Sequence, residues 1–139
     1  MKPYLFFLVL LTMLAGCDQA NDSVSQTTTA EQSANALRLS DSTRILLKGK
    51  HQKSHKKPNG SGFLSMHEFV YAGVDKIAEN DLYAVLKSNG YTRKIITNDA
   101  TQFKVQYYKK SMPAIGAIFV TRAKGDDHET LASIYWQEK

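Results

Sequence analysis

Three histidines near the middle of the sequence have the types and spacing that could bind a metal ion. His51 and His55 are four residues apart and would share one face of a helix, with His67 as a third imidazole ligand. Lysines crowd the first two histidines, and nearby positive charge opposes a divalent cation. We therefore predict a polar segment that holds no metal.

A second group could perform acid-base chemistry or bind calcium through carboxylate oxygens. It consists of four consecutive side chains, Asp126, Asp127, His128 and Glu129. Their spacing does not match a calcium-binding loop, and they lie where a hairpin between two strands needs polar residues. The sequence favours a structural turn here. A hydrolase that uses Asp126, Asp127 and His128 ranks last among the functional hypotheses.

Nucleophilic catalysis has little support in the sequence. No serine stands in a Gly-x-Ser-x-Gly turn, and Gly60-Ser61-Gly62 falls in a stretch that we expect to be flexible. The chain has one cysteine, Cys17, whose surroundings assign it another role. We predict no catalytic residues, no cofactor and a protein that is not an enzyme.

The surroundings of Cys17 are those of an export signal. Lys2 precedes an apolar run over residues 4–11, and this run is too short to span a bilayer stably. The motif Leu14-Ala15-Gly16-Cys17 that follows resembles the lipobox of bacterial lipoproteins. The resemblance implies that residues 1–16 are a signal peptide and that Cys17 carries acyl chains such as palmitate. The alternative is an ordinary secreted protein, which would leave a free thiol in an oxidising compartment.

The same resemblance implies a location. Acyl chains on Cys17 would hold the protein on the periplasmic side of a bacterial cell membrane, with no protein segment in the bilayer. Asp18 resembles the signal that retains lipoproteins in the inner membrane of many Gram-negative bacteria. We therefore expect the inner membrane.

Residues 17–62 are predicted to form the lipid anchor and a flexible tether. Between Asp18 and Thr43 the chain is rich in Ser, Thr, Gln, Asn and Ala and has no aromatic residue. Such a composition cannot offset the entropy lost on ordering. As a random coil, the tether would span roughly 35 to 40 Å.

The positive charge of the chain, +5 in total, is concentrated in residues 44–57 of the tether, which contain six bases and no acid. One interpretation is a solvated linker. The other is adhesion to an anionic surface such as phospholipid, lipopolysaccharide or a wall polymer, worth about 1 kcal/mol per base. Nucleic acid is not an expected partner, because the segment lacks interleaved aromatic residues and an exported protein seldom meets nucleic acid.

Residues 63–139 are predicted to fold as one small α+β domain that depends on packing, since a single cysteine allows no internal disulfide. A helix that begins at Asp75 or Asn80 and ends at Asn89-Gly90 would present one apolar face, formed by Ala78, Leu82, Val85 and Leu86. Residues 65–73 fit either a helix or a strand.

Four strand-like runs follow the helix, over residues 91–97, 102–109, 115–122 and 130–136. Their alternation of apolar and polar residues indicates a sheet with one packed and one solvated face. We predict one or two helices packed on a four-stranded antiparallel meander, which is a two-layer sandwich.

Aromatic residues are frequent in the predicted strands, and alternation sends about half of them towards solvent. Tyr108 and either Tyr135 or Trp136 should point outward, beside a group of lysines. The candidate binding surface consists of Lys104, Tyr108, Lys109, Lys110 and Trp136.

These features predict a lipid-anchored cell-envelope protein whose small, non-enzymatic domain binds an envelope protein or an anionic polymer on the periplasmic side. The alternative is an inhibitor, immunity or exclusion lipoprotein that neutralises an exported toxin or a lysozyme.

Overall fold

Antiparallel strands dominate the secondary structure of residues 35–139, the part of the chain that the computed structural model describes. In chain order the elements are β1 (Ala36–Arg38), β2 (Arg44–Leu46), β3 (Lys50–Asn59), β4 (Gly62–Ala72), α1 (Asp75–Ser88), β5 (Thr92–Asn98), β6 (Phe103–Tyr108), β7 (Ile115–Lys124) and β8 (Asp127–Glu138). The predicted signal peptide, the lipobox with Cys17, Asp18 and the first part of the tether lie outside the described residues.

Six strands form one antiparallel sheet in the order β3-β4-β8-β7-β6-β5, and β1 pairs with β2 in a separate two-stranded ribbon. β5 to β8 follow one another as a meander and correspond to the four predicted runs. The hairpin of β3 and β4 then pairs with β8, from Phe63 opposite Glu138 to Ala72 opposite Glu129. β8 is therefore an interior strand, with β4 on one side and β7 on the other.

The predicted α+β sandwich of one or two helices on a four-stranded meander is wrong. Residues 35–139 contain a single helix and form a mostly β fold, with a six-stranded sheet and an additional ribbon. The prediction relied on apolar periodicity within each segment. Such periodicity does not identify β3 and β4, which are held in the sheet by pairing with a neighbouring strand.

β4 shows how pairing decides a segment with an ambiguous pattern. Residues 65–72, which fit either a helix or a strand, belong to this strand. Ser65, Phe69 and Tyr71 are buried on one side at even spacing, and each lies opposite a residue of β8. Pairing with β3 on one side and β8 on the other outweighs the local helical periodicity.

The basic segment of residues 44–57, predicted to be flexible, forms β2 and most of β3. β3 pairs with β4 along its length, with one bulge between His51 and Lys53. All of its side chains except His51 are exposed, so no apolar alternation marks this strand in the sequence. The glycine-rich stretch expected as a linker supplies the hairpin turn, with Gly60 at a φ of 62°.

One face of the six-stranded sheet, here called the covered face, lies beneath α1 and the β1–β2 ribbon. α1 buries Ala78, Leu82 and Leu86 against it. The ribbon and its flanks contribute a second group, Leu37, Leu39, Ile45 and Leu47. The sheet meets them with a buried layer that includes Phe69, Phe103, Val105, Phe119 and Ile134. The opposite side of the sheet is called the open face below.

α1 begins and ends close to the predicted positions. Its first residue is Asp75, preceded by Val74 without a side-chain cap, and Asn80 lies inside the helix. Its last turn ends at Asn89, and Gly90 follows at a φ of 85°, where a residue without Cβ is favoured.

An ion pair between the buried Glu79 and the partly exposed Arg93 fastens α1 to β5 and β6. Glu79 is 1% exposed and accepts two hydrogen bonds from Arg93 Nη1, at 2.8 and 3.0 Å, and one from the Tyr107 hydroxyl at 3.1 Å. The hydrogen bond to Glu79 raises the pKa of Arg93, and burial raises the pKa of Tyr107. The buried carboxylate is thus paired and hydrogen-bonded, as a buried charge requires.

Candidate binding surface

The composition of the open face follows from the register of the sheet. Residues opposite one another in an antiparallel pair project from the same face. One buried row on the covered face consists of Phe103, Phe119, Ala132 and Phe69. The next residue along each strand projects from the other side. The neighbouring row on the open face therefore consists of Val120, Leu131 and Val70.

Apolar side chains are frequent in the middle of the open face, on β4, β7 and β8, where Glu68 and Ser133 lie among them. We call this group the apolar centre; it consists of Leu64, Met66, Val70, Ile118, Val120, Leu131 and Tyr135. Val120 is 38% exposed, and the others are of intermediate exposure. Because α1 and the ribbon pack on the covered face, no secondary-structure element of residues 35–139 lies over the apolar centre.

Tyr135 lies across the middle of this group. Its ring rests on Gly116 of β7, the residue opposite it in the ladder. A Cβ at Gly116 would collide with the ring, so this close approach requires glycine. The arrangement presents an aromatic surface and a phenol hydroxyl at the centre of the open face.

Lysines flank the apolar centre at both edges of the sheet. We call them the basic rim: Lys50, Lys53 and Lys57 on β3, Lys94 on β5 and Lys104 on β6, all placed on the open face by their cross-strand partners. Lys53 is 3.3 Å from Glu68. For the other four, no acid of residues 35–139 lies within salt-bridge distance.

The structure divides the residues of the predicted binding surface between different places. Lys104 and Tyr108 lie on the open face of β6, and Tyr108 is 41% exposed. Trp136 lies on the covered face and is 3% exposed, so its placement among the outward residues is wrong. Lys109 forms an ion pair with Asp41 at 3.1 Å, and Lys110 is exposed in the turn after β6.

The apolar centre itself was missed by the sequence analysis, although the sequence contains a signal for it. In β7, Ile118 and Val120 alternate with the buried Ala117 and Phe119. Both faces of this strand are therefore apolar, which is unusual for an antiparallel sheet with one solvated side.

Two of the three histidines that could form a metal site meet on the covered side of the β3–β4 hairpin. The ring centroids of His51 and His67 are 6.4 Å apart. The bulge after His51 interrupts the alternation, so His55 projects from the open face instead. Within the described part of the chain, no three His, Cys, Asp or Glu side chains are grouped so that they could hold a metal ion.

A serine links the two rings. Ser54 Oγ lies 2.7 Å from His51 Nε2 and 2.6 Å from His67 Nδ1, and Ser65 Oγ lies 3.1 Å from His67 Nε2. Burial, and then the neighbouring His51, lowers the pKa of His67 from 6.5 to about 4. So weak a base is poorly matched to removing a proton from a serine hydroxyl at neutral pH. We interpret this cluster as structural.

Trp136 forms the base of the cluster. Its ring stacks on His67, with centroids 4.8 Å apart and an interplanar angle of 11°. The hydrogen bond from Lys56 holds the pKa of Glu138 below its usual range, and Ser65 and Trp136 also face this carboxylate. The buried indole N–H, however, has no hydrogen-bond partner of normal geometry within the described residues.

The acidic group near the end of the chain lies at the β7–β8 hairpin, but only Asp126 of its four residues is in the predicted turn. Gly125 has a φ of 62°, and Asp127, His128 and Glu129 begin β8. Glu129 pairs with Arg122 at 2.8 Å and with Lys124 at 2.9 Å. These contacts, first the hydrogen bond from Lys124, lower the pKa of Glu129.

The chain matches no protein-family model, and no curated protein or solved structure is similar to it at a significant level. Within residues 35–139, no helix has the length and apolar character needed to cross a membrane.

Proposed function

We propose that this chain is a lipid-anchored protein of the bacterial cell envelope, and that its open face binds a partner protein on the periplasmic side without catalysing a reaction. The lipobox-like motif ending at Cys17 supports the anchor. The open face supports the binding role.

The apolar centre is the observation that carries this proposal. A sheet with one covered face ordinarily presents polar side chains on the other. Here Val70, Leu131 and Val120 form an aliphatic row across three neighbouring strands. Met66 and Tyr135 lie further along their strands, beyond a row that consists of Glu68, Ser133 and Ile118. Removing apolar surface from water contributes about 25 cal/mol per Å², against which the entropic costs of association must be set, and exposed apolar patches mark interaction sites.

The basic rim indicates the charge of the partner. Four of its lysines have no acidic neighbour within residues 35–139. A complementary surface is therefore apolar in the middle and acidic around it. A second copy of this chain would bring like charges together at the rim, which disfavours self-association through this face.

An inhibitor, immunity or exclusion protein is the alternative class, because neutralising an exported toxin or a lysozyme also requires only a binding face. The basic rim then favours a target that is acidic around its functional site. The identity of the bound protein separates the two classes.

A photo-crosslinking side chain at Val120 tests the proposal in living cells. We expect a discrete adduct with one envelope protein from this position. The control position is Ile77, which is 55% exposed on α1, on the other side of the molecule. An adduct that is absent at Val120, or equally strong at Ile77, would contradict the open-face proposal. An exported toxin or lysozyme in the Val120 adduct would establish the alternative.

A further inference from the structure

We propose a second interaction surface on this protein: the outer edge of β3 accepts an extended, acidic segment of a partner protein as an added strand. This surface is separate from the apolar centre, and it shares Lys53 and Lys57 with the basic rim.

β3 offers the longest unbroken edge of the sheet. It is the outermost strand on one side and pairs only with β4. After its bulge, seven consecutive residues from Lys53 to Asn59 stay in register. β5, at the opposite edge, is interrupted after Ile95, and its Arg93 is held by Glu79. An edge strand presents backbone N–H and C=O groups that can template an additional strand.

The usable part of this edge lies between Lys53 and Lys57. The backbone N–H of His51 already donates to Asn35 Oδ1 at 3.1 Å, and Pro58 has no N–H. Every side chain from residue 52 to residue 59 is exposed, so no element of residues 35–139 covers this part of the strand.

The charge of β3 selects an acidic strand. Lys53, His55 and Lys57 project from the open face, whereas Lys56 projects from the other face, and the strand contains no acid. The acids that contact it, Glu68 and Glu138, belong to β4 and β8 on its inner side. Lys53 and Lys56 are already paired with these acids, whereas Lys57 forms no ion pair within residues 35–139. A carboxylate on the open face of an incoming strand would therefore find an unpaired cation at Lys57.

The same lysines oppose pairing between two copies of this chain. Charged side chains on edge strands commonly protect sheets from edge-to-edge association, because like charges would lie opposite one another. This protection does not act against a strand of opposite charge. The lysines of β3 therefore disfavour association between two copies and favour pairing with an acidic strand.

Hydrogen exchange of the full chain with a short peptide of alternating Glu and Val tests the proposal. We expect the outward-facing amides between Lys53 and Lys57 to exchange at least ~10-fold more slowly when the peptide is bound. A Lys-Val peptide of equal length should give no protection. An N-methylated Glu-Val peptide keeps the charge but cannot pair as a strand, and it should give none either.

Two outcomes of this experiment would overturn the proposal. One is equal protection by the N-methylated peptide, which means charge adhesion only, and the other is no protection by the Glu-Val peptide.

Lys57→Glu should weaken binding of the Glu-Val peptide by roughly three- to tenfold, as expected for reversing one cross-strand charge pair. Lys110→Glu makes the same charge change in the turn after β6 and should leave binding unchanged. Crosslinking at Val120 reports on the open face independently, so either surface can fail alone.

Discussion

His67 is the side chain whose protonation most directly links pH to folding. In the unfolded chain its imidazole titrates near 6.5, whereas in the folded protein its pKa is about 4. Between these values the unfolded chain binds more protons, so stability is lost as the pH falls through this window and is regained as it rises.

The free energy of unfolding, measured by urea denaturation at a series of pH values, should therefore decline from about pH 6.5 towards 4. His67→Phe keeps an aromatic ring against Trp136 but cannot titrate, and its decline should be shallower over this range. Parallel curves for the two proteins would show that His67 is not responsible. Glu138, whose pKa is lowered from 4.5, adds to the decline in the lower part of this range, in both proteins.

Arg93 stabilises the fold by pairing with the buried carboxylate of Glu79. Arg93→Leu leaves Glu79 with only the Tyr107 hydroxyl. Removing one partner of a fully buried pair costs roughly 3 to 5 kcal/mol, and we expect a smaller loss of about 2 to 3 kcal/mol because the Arg93 side chain is 37% exposed. The double variant Glu79→Leu/Arg93→Leu removes the unpaired charge and should be more stable than Arg93→Leu alone. Equilibrium unfolding in urea measures both, and a double variant that is the less stable one would refute this account.

The misplacement of Trp136 shows where residue-level prediction ends. Alternation established that Tyr135 and Trp136 lie on opposite faces, and the structure agrees. Which of them faces the core depends on what β8 pairs with and on where the covering layer lies. The local pattern of residues 130–136 contains no information on the partner strands of β8 or on the position of the covering layer.

The single helix is the element that closes the covered face. Leu82, 1% exposed, packs against the sheet, and Leu82→Ala should lower the free energy of unfolding by about 2 to 5 kcal/mol through lost burial and the cavity left behind. Ile77→Ala, on the exposed side of the same helix, should change it by no more than about 0.5 kcal/mol. Denaturation followed by circular dichroism distinguishes the two, and equal losses would mean that α1 does not pack as described.

The helix and β6, β7 and β8 could be predicted because each buries a periodic apolar set of its own, whereas β5 buries no residue and is marked only by its β-branched residues Ile95, Ile96 and Thr97. α1 repeats apolar residues at helical spacing before Asn89-Gly90, and β6 alternates Phe103, Val105 and Tyr107 with polar neighbours. β3 has no such set, since it is held by backbone pairing to β4. Its lysines, histidines and glycine-rich turn are typical of a linker, so the sequence alone predicts no strand here.

The candidate surface was predictable to a similar degree. Lys104 and Tyr108 could be assigned to one face because β6 has a clear alternation. Of the apolar centre, the sequence signals only the part on β7, Ile118 and Val120. The rest depends on the pairing of β4 with β8, which joins segments far apart in the chain.

For the whole molecule, the proposed anchor makes a prediction that concerns location rather than folding. Cys17→Ser should move the protein from the membrane fraction to the soluble fraction, because each buried acyl methylene contributes about 0.8 kcal/mol to membrane binding. Mass spectrometry of the wild-type protein should find acyl mass on Cys17. Asp18→Ser is the matched control: it should keep the acyl mass and alter only which membrane holds the protein. A wild-type protein without acyl mass would refute the anchor.

The pairing of β4 with β8 has a consequence for the order in which the fold can form. Lys56 and Glu138, in contact across this end of the sheet, are separated by 82 positions in the sequence. The chain between these two residues must close into a loop before their contact can form. Folding is therefore slow, because folding rates fall as contacting residues become more distant along the chain. The β3–β4 hairpin cannot join the sheet until β8 is available. We therefore expect the meander with α1 to form first, and the hairpin that carries the acidic-strand edge to dock last.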